Sequence, residues 1–263
     1  MSEVKKTKVH LISGFLGTGK TTALKSLMEQ KDPNEKWVII VNEFGEIGID
    51  GAVLSDNGIP VAEIAGGCLC CTAGPQMGVT VQKMLRDAKP DRLMIEASGL
   101  AHAASVIDEL KAKPLDSLLE IGAVFTVVDP RQFINPDYAQ QALYKDQIGI
   151  CDVLVASKTD LCTPEQLAEF HDKAAKLFPP KAKVVEVQNA QLDIQWLDIP
   201  VVEKSRYRLK ALPDNTMGFQ SQGFTFPAGR DFDGEKLTNF FNDLPKFTDG
   251  LVRAKGVFQV LGT

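Results

Sequence analysis

The sequence predicts an α/β fold: an open, mainly parallel sheet with helices on its faces, followed by a small, shortened α+β segment. Three observations predict it. Short apolar, β-branched runs alternate with helically spaced segments through the first two-thirds of the chain. Each run is apolar on both faces, as in strands covered on both sides. The length of 263 residues is enough to bury a sizeable core without a disulfide or metal staple. Alternation of this kind implies βαβ units with right-handed crossovers.

The strand-like runs fall at 8–13, 37–41, 92–96, 123–128, 153–156 and 184–187. After the first comes a glycine loop, and then Leu24, Leu27 and Met28 at helical spacing. Val79, Lys83 and Arg86 mark a second amphipathic helix, with Met84 and Leu85 inward. Thr163, Pro164 and Glu165 read as an N-cap, a proline at the first helical position and an acidic first turn. Periodicity is lost over 199–215, a linker carrying Pro200 and Pro213. A β-α-β pattern follows at 224–226, 234–244 and 257–261, too small to fold comfortably alone.

Composition excludes several classes. Lys+Arg 29 against Asp+Glu 34 gives a net charge of −5, which argues against a general nucleic-acid-binding surface. No apolar run approaches the roughly 20 residues of a membrane span. The N-terminal segment lacks the apolar core of a signal peptide. Five cysteines, three of them within four residues, make a poor disulfide framework and imply reduced thiols in the cytoplasm.

Residues 14–22, GFLGTGKTT, match G-x-x-x-x-G-K-[ST] between a strand and a helix. Gly17, Thr18 and Gly19 let successive backbone N–H groups turn toward phosphate oxygens. The helix beginning near Lys20 adds its positive end. Lys20 is expected to reach the β- and γ-phosphates, Thr21 to ligate Mg²⁺, and Thr22 to lie near the α-phosphate. The strand 153–156 ends in Ser157-Lys158-Thr159-Asp160. Guanine-nucleotide proteins carry N-K-x-D at this place. The carboxylate of Asp160 would accept from the guanine N–H groups, and the stem of Lys158 would pack on the base. Adenine offers no such donors, so discrimination is large. Ser157 stands where asparagine is usual.

Cys68, Cys70 and Cys71 sit in GGCLCC at 66–71. Neighbouring cysteines do not readily close on one another. Three thiolates on a tight loop suit Zn²⁺, Co²⁺ or Cu⁺, with an open position for exchange. Redox thiols and simple packing are the rival readings. Cys151 and Cys162 are expected to be structural. The acidic loop 42–50 is a candidate switch at a strand end, and Glu46 is its choice for an added metal ligand. Glu96 ends another buried strand and is the leading catalytic acid, placed to hold Mg²⁺ through water and orient the attacking water. His102 is read as a surface or packing residue rather than a ligand.

Together and in this order, the segments 14–22, 42–50, 66–71, 95–101 and 157–161 resemble the CobW family of P-loop GTPases. That family lies near the hydrogenase and urease nickel-insertion GTPases. The resemblance covers residue 8 to about 190 and continues weakly through 223–262, where Arg253-Ala254-Lys255-Gly256 is similar to a C-terminal family motif. It implies a P-loop GTPase domain over 1–198 with the C-x-C-C metal motif, a linker over 199–221 and a shortened C-terminal domain over 222–263. It also implies a cytoplasmic, GTP-hydrolysing metallochaperone that binds GTP, Mg²⁺ and Zn²⁺ or Co²⁺. Its partner would be a client metalloprotein, with no nucleic acid and no membrane; a homodimer is compatible. The alternative is an accessory GTPase for cobalamin assembly or for loading a corrinoid protein. Lys20 and Glu96 would be catalytic. Gly17, Thr18, Gly19, Lys20, Thr21, Thr22, Ser157, Lys158 and Asp160 would hold the nucleotide.

Overall fold

A computed structural model describes residues 5–43, 59–65, 74–201, 231–247 and 258–260. Seven strands form one parallel sheet: β1 (Thr7–Ser13), β2 (Trp37–Glu43), β3 (Val61–Ala65), β4 (Arg92–Glu96), β5 (Leu119–Val128), β6 (Val153–Ala156) and β7 (Lys183–Glu186). Their order is β3-β2-β4-β1-β5-β6-β7. The predicted open parallel sheet is the observed one. β1 lies centrally between β4 and β5.

The helices are α1 (Lys20–Glu29), α2 (Gly74–Ala88), α3 (Ala103–Leu110), α4 (Pro130–Ile134), α5 (Pro136–Ala139), α6 (Ala142–Ile150) and α7 (Pro164–Ala175). Successive strand residues feed opposite faces of the sheet. Leu11, Ile40 and Ile95 join Met77 of α2, Val106 of α3, Tyr144 of α6 and Phe170 of α7. Ile12, Ile39 and Met94 join Leu24 and Leu27 of α1 and Leu197 of a 3₁₀ turn at Ile194–Asp198. Both faces are therefore dry, and this is why the strands read as unbroken apolar runs.

Local signals account for the helix ends. Thr163 accepts from Gln166 N while Gln166 caps back on Thr163 N, completing a capping box at α7. Asp129-Pro130 and Asn135-Pro136 start α4 and α5 by the same device, a side-chain cap followed by proline. Sequence reading finds the α7 start but passes over these two. It also passes over β3, an edge strand of five residues. On α2, Val79 is 67% exposed while Met84 and Leu85 pack inward, as expected.

Further along, β8 (Asp231–Phe232) and β9 (Gln259–Val260) pair in parallel around α8 (Gly234–Phe247). The helix here falls on the expected 234–244 and β9 within the expected 257–261, while the strand expected at 224–226 lies outside the described residues.

Candidate functional site

All seven strands run in one direction, so the loops after them gather at one edge of the sheet. The loop after β1 holds Gly14, Gly17 and Gly19 at φ 139°, 73° and 100°. These are left-handed conformations that a side chain resists. At Gly14 a Cβ would also run into the carbonyl oxygen of Val127 on β5. The Thr18 hydroxyl donates to Phe15 O at 3.0 Å, closing the loop on itself. Lys20 is 4% exposed, and its Nζ donates to Phe15 O at 3.1 Å. Thr22 is exposed. α1 starts at Lys20, so its first N–H groups face the loop.

Glu96 lies one strand away, at the end of β4. It is 3% exposed rather than solvated, and its Oε1 accepts from the Thr21 hydroxyl at 2.8 Å. The chain continues through Ser98 and Gly99 directly against the phosphate loop. A Cβ on Gly99 would stand 2.9 Å from Leu16 N. Gln147 of α6 fixes this passage from below, donating to Gly99 O and Ala101 O at 3.2 Å each. His102 is buried, with Nδ1 3.7 Å from Asp146 Oδ2. Burial raises the carboxyl of Asp146 above its usual range. Of the two expected readings, surface or packing, His102 is the packed one.

On the other side of β1, Ser157 follows β6. Its hydroxyl lies 2.7 Å from Thr18 O and 3.1 Å from Val128 O, and can donate to either. Ser157 therefore ties the loop after β6 to the glycine loop after β1. Lys158 adopts φ 56°, an uncommon left-handed conformation for a lysine. Leu161 N and Cys162 Sγ both donate to its carbonyl, at 3.0 and 3.5 Å. Cys151 is buried as expected, but Cys162 is only partly buried and belongs to this loop. Asp160 is exposed.

Two features of this side escape the sequence reading. Asp129, after β5, is 2% exposed and faces both Arg131 and Lys158. Its signal is an acid at a strand end before proline. The turn after β7 carries Asn189 and Ala190 at φ 50° and 51°. It is tied in by Thr159 Oγ1 to Val187 O at 3.4 Å and by Ser26 Oγ to Ala190 O at 3.3 Å. No glycine announces that turn.

The structure thus brings Gly17, Thr18, Gly19, Lys20, Thr21, Thr22, Glu96, Ser157, Lys158 and Asp160 to one edge. Glu46, Cys68, Cys70 and Cys71 lie outside the described residues. Among the described residues, no group of three His, Cys, Asp or Glu could hold a metal ion. No helix among them is long and apolar enough to cross a membrane.

A glycine loop between a central parallel strand and a helix, with an acid from the neighbouring strand, defines a P-loop nucleotide-binding protein. A model of the CobW/HypB/UreG nucleotide-binding domain matches residues 8–186. The chain belongs to this family of P-loop GTPases. It is 46% identical over 280 aligned positions to the zinc chaperone YeiR of Escherichia coli, covering 97% of this chain and 83% of that one. It is 30% identical to the zinc chaperone CobW of Pseudomonas aeruginosa, covering 75% of this chain but 60% of that one. The fold matches Zn(II)-bound YjiA GTPase from E. coli at a TM-score of 0.53 and 21% identity, over 99% of this chain and 84% of the other. It also matches nickel-bound HypB from Helicobacter pylori at a TM-score of 0.51 and 19% identity, over 73% and 83% of the two chains.

Proposed function

We propose that this protein binds and hydrolyses GTP and couples its nucleotide state to holding and delivering a transition metal, zinc or cobalt, to a client metalloprotein in the cytoplasm. The observation that carries the reading is the layout of the sheet edge. β1 supplies the phosphate loop, β4 supplies Glu96 next to it, and β6 supplies the base-reading loop on the far side. β2 and β3 lie beyond β4 and end at the same edge, at Glu43 and Ala65. From there the chain passes into the 44–50 and 66–71 segments. In the proposed reading, β3, the strand that precedes the cysteine segment in sequence, ends on the γ-phosphate side of the edge. The zinc chaperones YeiR and CobW support zinc as cargo.

Each residue has a role in this reading. Lys20 exchanges Phe15 O for β- and γ-phosphate oxygens. Backbone N–H groups of Gly17, Thr18 and Gly19, with the start of α1, hold the phosphates. Thr22 stands by the α-phosphate. The Thr21 hydroxyl and the Glu96 carboxylate meet at 2.8 Å and are the hard oxygen donors that Mg²⁺ takes, so they fit that ion. Bound there, Mg²⁺ would neutralise charge on the β- and γ-oxygens. Glu96 orients a water for attack on the γ-phosphorus; the bond to the β,γ-bridging oxygen breaks, giving GDP and phosphate. Ser157 fixes the base loop, Lys158 covers the base, and Asp160 accepts from the guanine N–H groups. Cys68, Cys70 and Cys71, with Glu46, hold the cargo metal.

Hydrolysis couples to cargo only if the two nucleotide states hold the metal loop differently. The test is a Zn²⁺ titration of the full chain with GTP analogue and with GDP, for the wild type and Cys70→Ala. Affinity that depends on nucleotide and is lost in Cys70→Ala is expected. Unchanged affinity in the variant sinks the metal assignment. A captured client that carries a corrinoid would point to cofactor loading instead.

A further inference from the structure

The geometry points to Asp129 as a positioning residue for guanine recognition: it keeps two cations, Arg131 and Lys158, off the base-reading carboxylate of Asp160. This rests on the reading of 157–160 as the base loop.

Asp129 follows β5, whose last residue Val128 pairs with Ala156, directly before Ser157. Its carboxylate is spent on basic groups. Oδ1 accepts from Arg131 N at 3.0 Å and Nε at 2.9 Å, and Oδ2 accepts from Nη2 at 2.7 Å. Lys158 Nζ stands 3.9 Å from the same Oδ2. Burial would raise this carboxyl, but the Arg131 bonds and the charges of Arg131 and Lys158 hold it below the usual range. It therefore stays an anion at neutral pH.

The two cations are less buried than their anchor: Arg131 and Lys158 side chains are 39% and 41% exposed, against 3% for Asp129. Arg131 also feels Asp160. Its guanidinium holds its proton more tightly than usual, first through the Asp129 hydrogen bonds, with the Asp160 charge adding to the effect. Asp160 is exposed, and its charge acts on the partly exposed Arg131; long basic side chains at the surface can swing between neighbouring carboxylates. A carboxylate paired with arginine has fewer lone pairs for the guanine N–H groups. Asp129 offers both cations a buried partner, so the Asp160 carboxylate stays available. Lys158 sits at φ 56° with its ammonium 3.9 Å from Asp129 Oδ2, on the Asp129 side of the loop.

Asp129→Asn tests this, because asparagine is as good an N-cap for α4 but carries no charge. Fluorescent GDP and ADP analogues are titrated against the full chain. The wild type is expected to prefer GDP; no preference would sink the base-loop reading itself. Given that preference, Asp129→Asn is expected to weaken GDP binding about tenfold, which corresponds to about 1.4 kcal/mol. ADP binding should move less than twofold, and in hydrolysis the loss should fall on KM rather than kcat. Adding Arg131→Gln to Asp129→Asn removes the competing guanidinium and should recover most of the affinity. A GDP affinity within twofold of wild type in Asp129→Asn overturns the inference, and so does a loss that the double variant fails to recover. If Asp129→Asn does not fold, Asp129→Glu takes its place. It keeps the charge and should bind GDP within about threefold of wild type; a tenfold loss there overturns the idea.

Discussion

Glu96 shows how much one side chain can decide. It ends a buried strand, and its 2.8 Å bond to Thr21 means that the residue proposed for water orientation also touches the start of α1. The predicted consequence separates binding from chemistry. Glu96→Gln keeps the shape and can still accept from Thr21, but loses the negative charge. GTP hydrolysis, measured as phosphate release, should fall by roughly a hundredfold, with GDP affinity changed by about threefold at most. Loss of GDP binding on the same scale as hydrolysis would show that Glu96 is structural. Ser157 gives a second test. Ser157→Ala leaves the carbonyls of Thr18 and Val128 without this donor, so urea unfolding should report a loss of about 1 kcal/mol; an unchanged midpoint would deny the tie any weight. That the glycine loop, Glu96 and Asp160 gather at one sheet edge was legible in the sequence, because each stands at the end of a strand in a motif of fixed residue types and spacing. Asp129 and Ala190 were not. Their places depend on which strands become neighbours, and no local pattern states that β5 lies beside β6 or that the turn after β7 meets α1.

At the scale of elements, the opposite edge of the sheet carries a polar seam of its own. His10 of β1 is fully buried, Nδ1 lies 3.4 Å from Ala123 O, and Nε2 lies 3.1 Å from Arg92 Nη1. An arginine only donates, so Nε2 accepts and the ring is neutral with its proton on Nδ1. Arg92 of β4 also holds Asp198 through two bonds and Glu35 through a third. Burial, and then the Arg92 charge, lower the His10 pKa from 6.5 to about 4. The unfolded chain therefore binds the proton first. Stability is full above pH 6.5 and falls as pH drops toward 4, by about 3 kcal/mol at most. Asp198, held down to about 2 by Arg92, adds acid sensitivity below its ordinary 3.8. His10→Gln can keep one donor and one acceptor without a titrating ring. Its unfolding free energy should change little between pH 6.5 and 4, where the wild type declines; equal slopes would show that other groups carry the effect. At this scale the central strands were legible from apolar runs, whereas β3 was not. An edge strand is pinned by one neighbour, and five residues give periodicity little to work with. The short helices α4 and α5 follow proline caps, which are local signals and can be read by the rule that finds α7.

For the whole molecule, strand order turns separate motifs into a linear scale. β4, β1, β5 and β6 are adjacent, so Glu96, the glycine loop, Asp129 and the 157–160 loop succeed one another along the sheet edge, the order from γ-phosphate to base in the proposed reading. A nucleotide that spans this edge bridges loops that otherwise meet through contacts such as Ser157 to Thr18. Ligand binding to the folded state alone adds stability by mass action, about 2.7 kcal/mol at a hundred times Kd. For a domain of this size each kcal/mol raises Tm by about 2–4 °C. GDP with Mg²⁺ should therefore raise Tm by about 5–10 °C, and ADP at the same concentration by much less. Hydrogen exchange should locate the gain: 14–22, 96–101 and 157–161 become protected together, while the His10–Arg92–Asp198 seam at the other edge keeps its own protection pattern. Protection confined to 14–22, with equal shifts from GDP and ADP, would mean that phosphates are held but the base is not read. That outcome would leave a P-loop in place and remove the guanine loop from the mechanism.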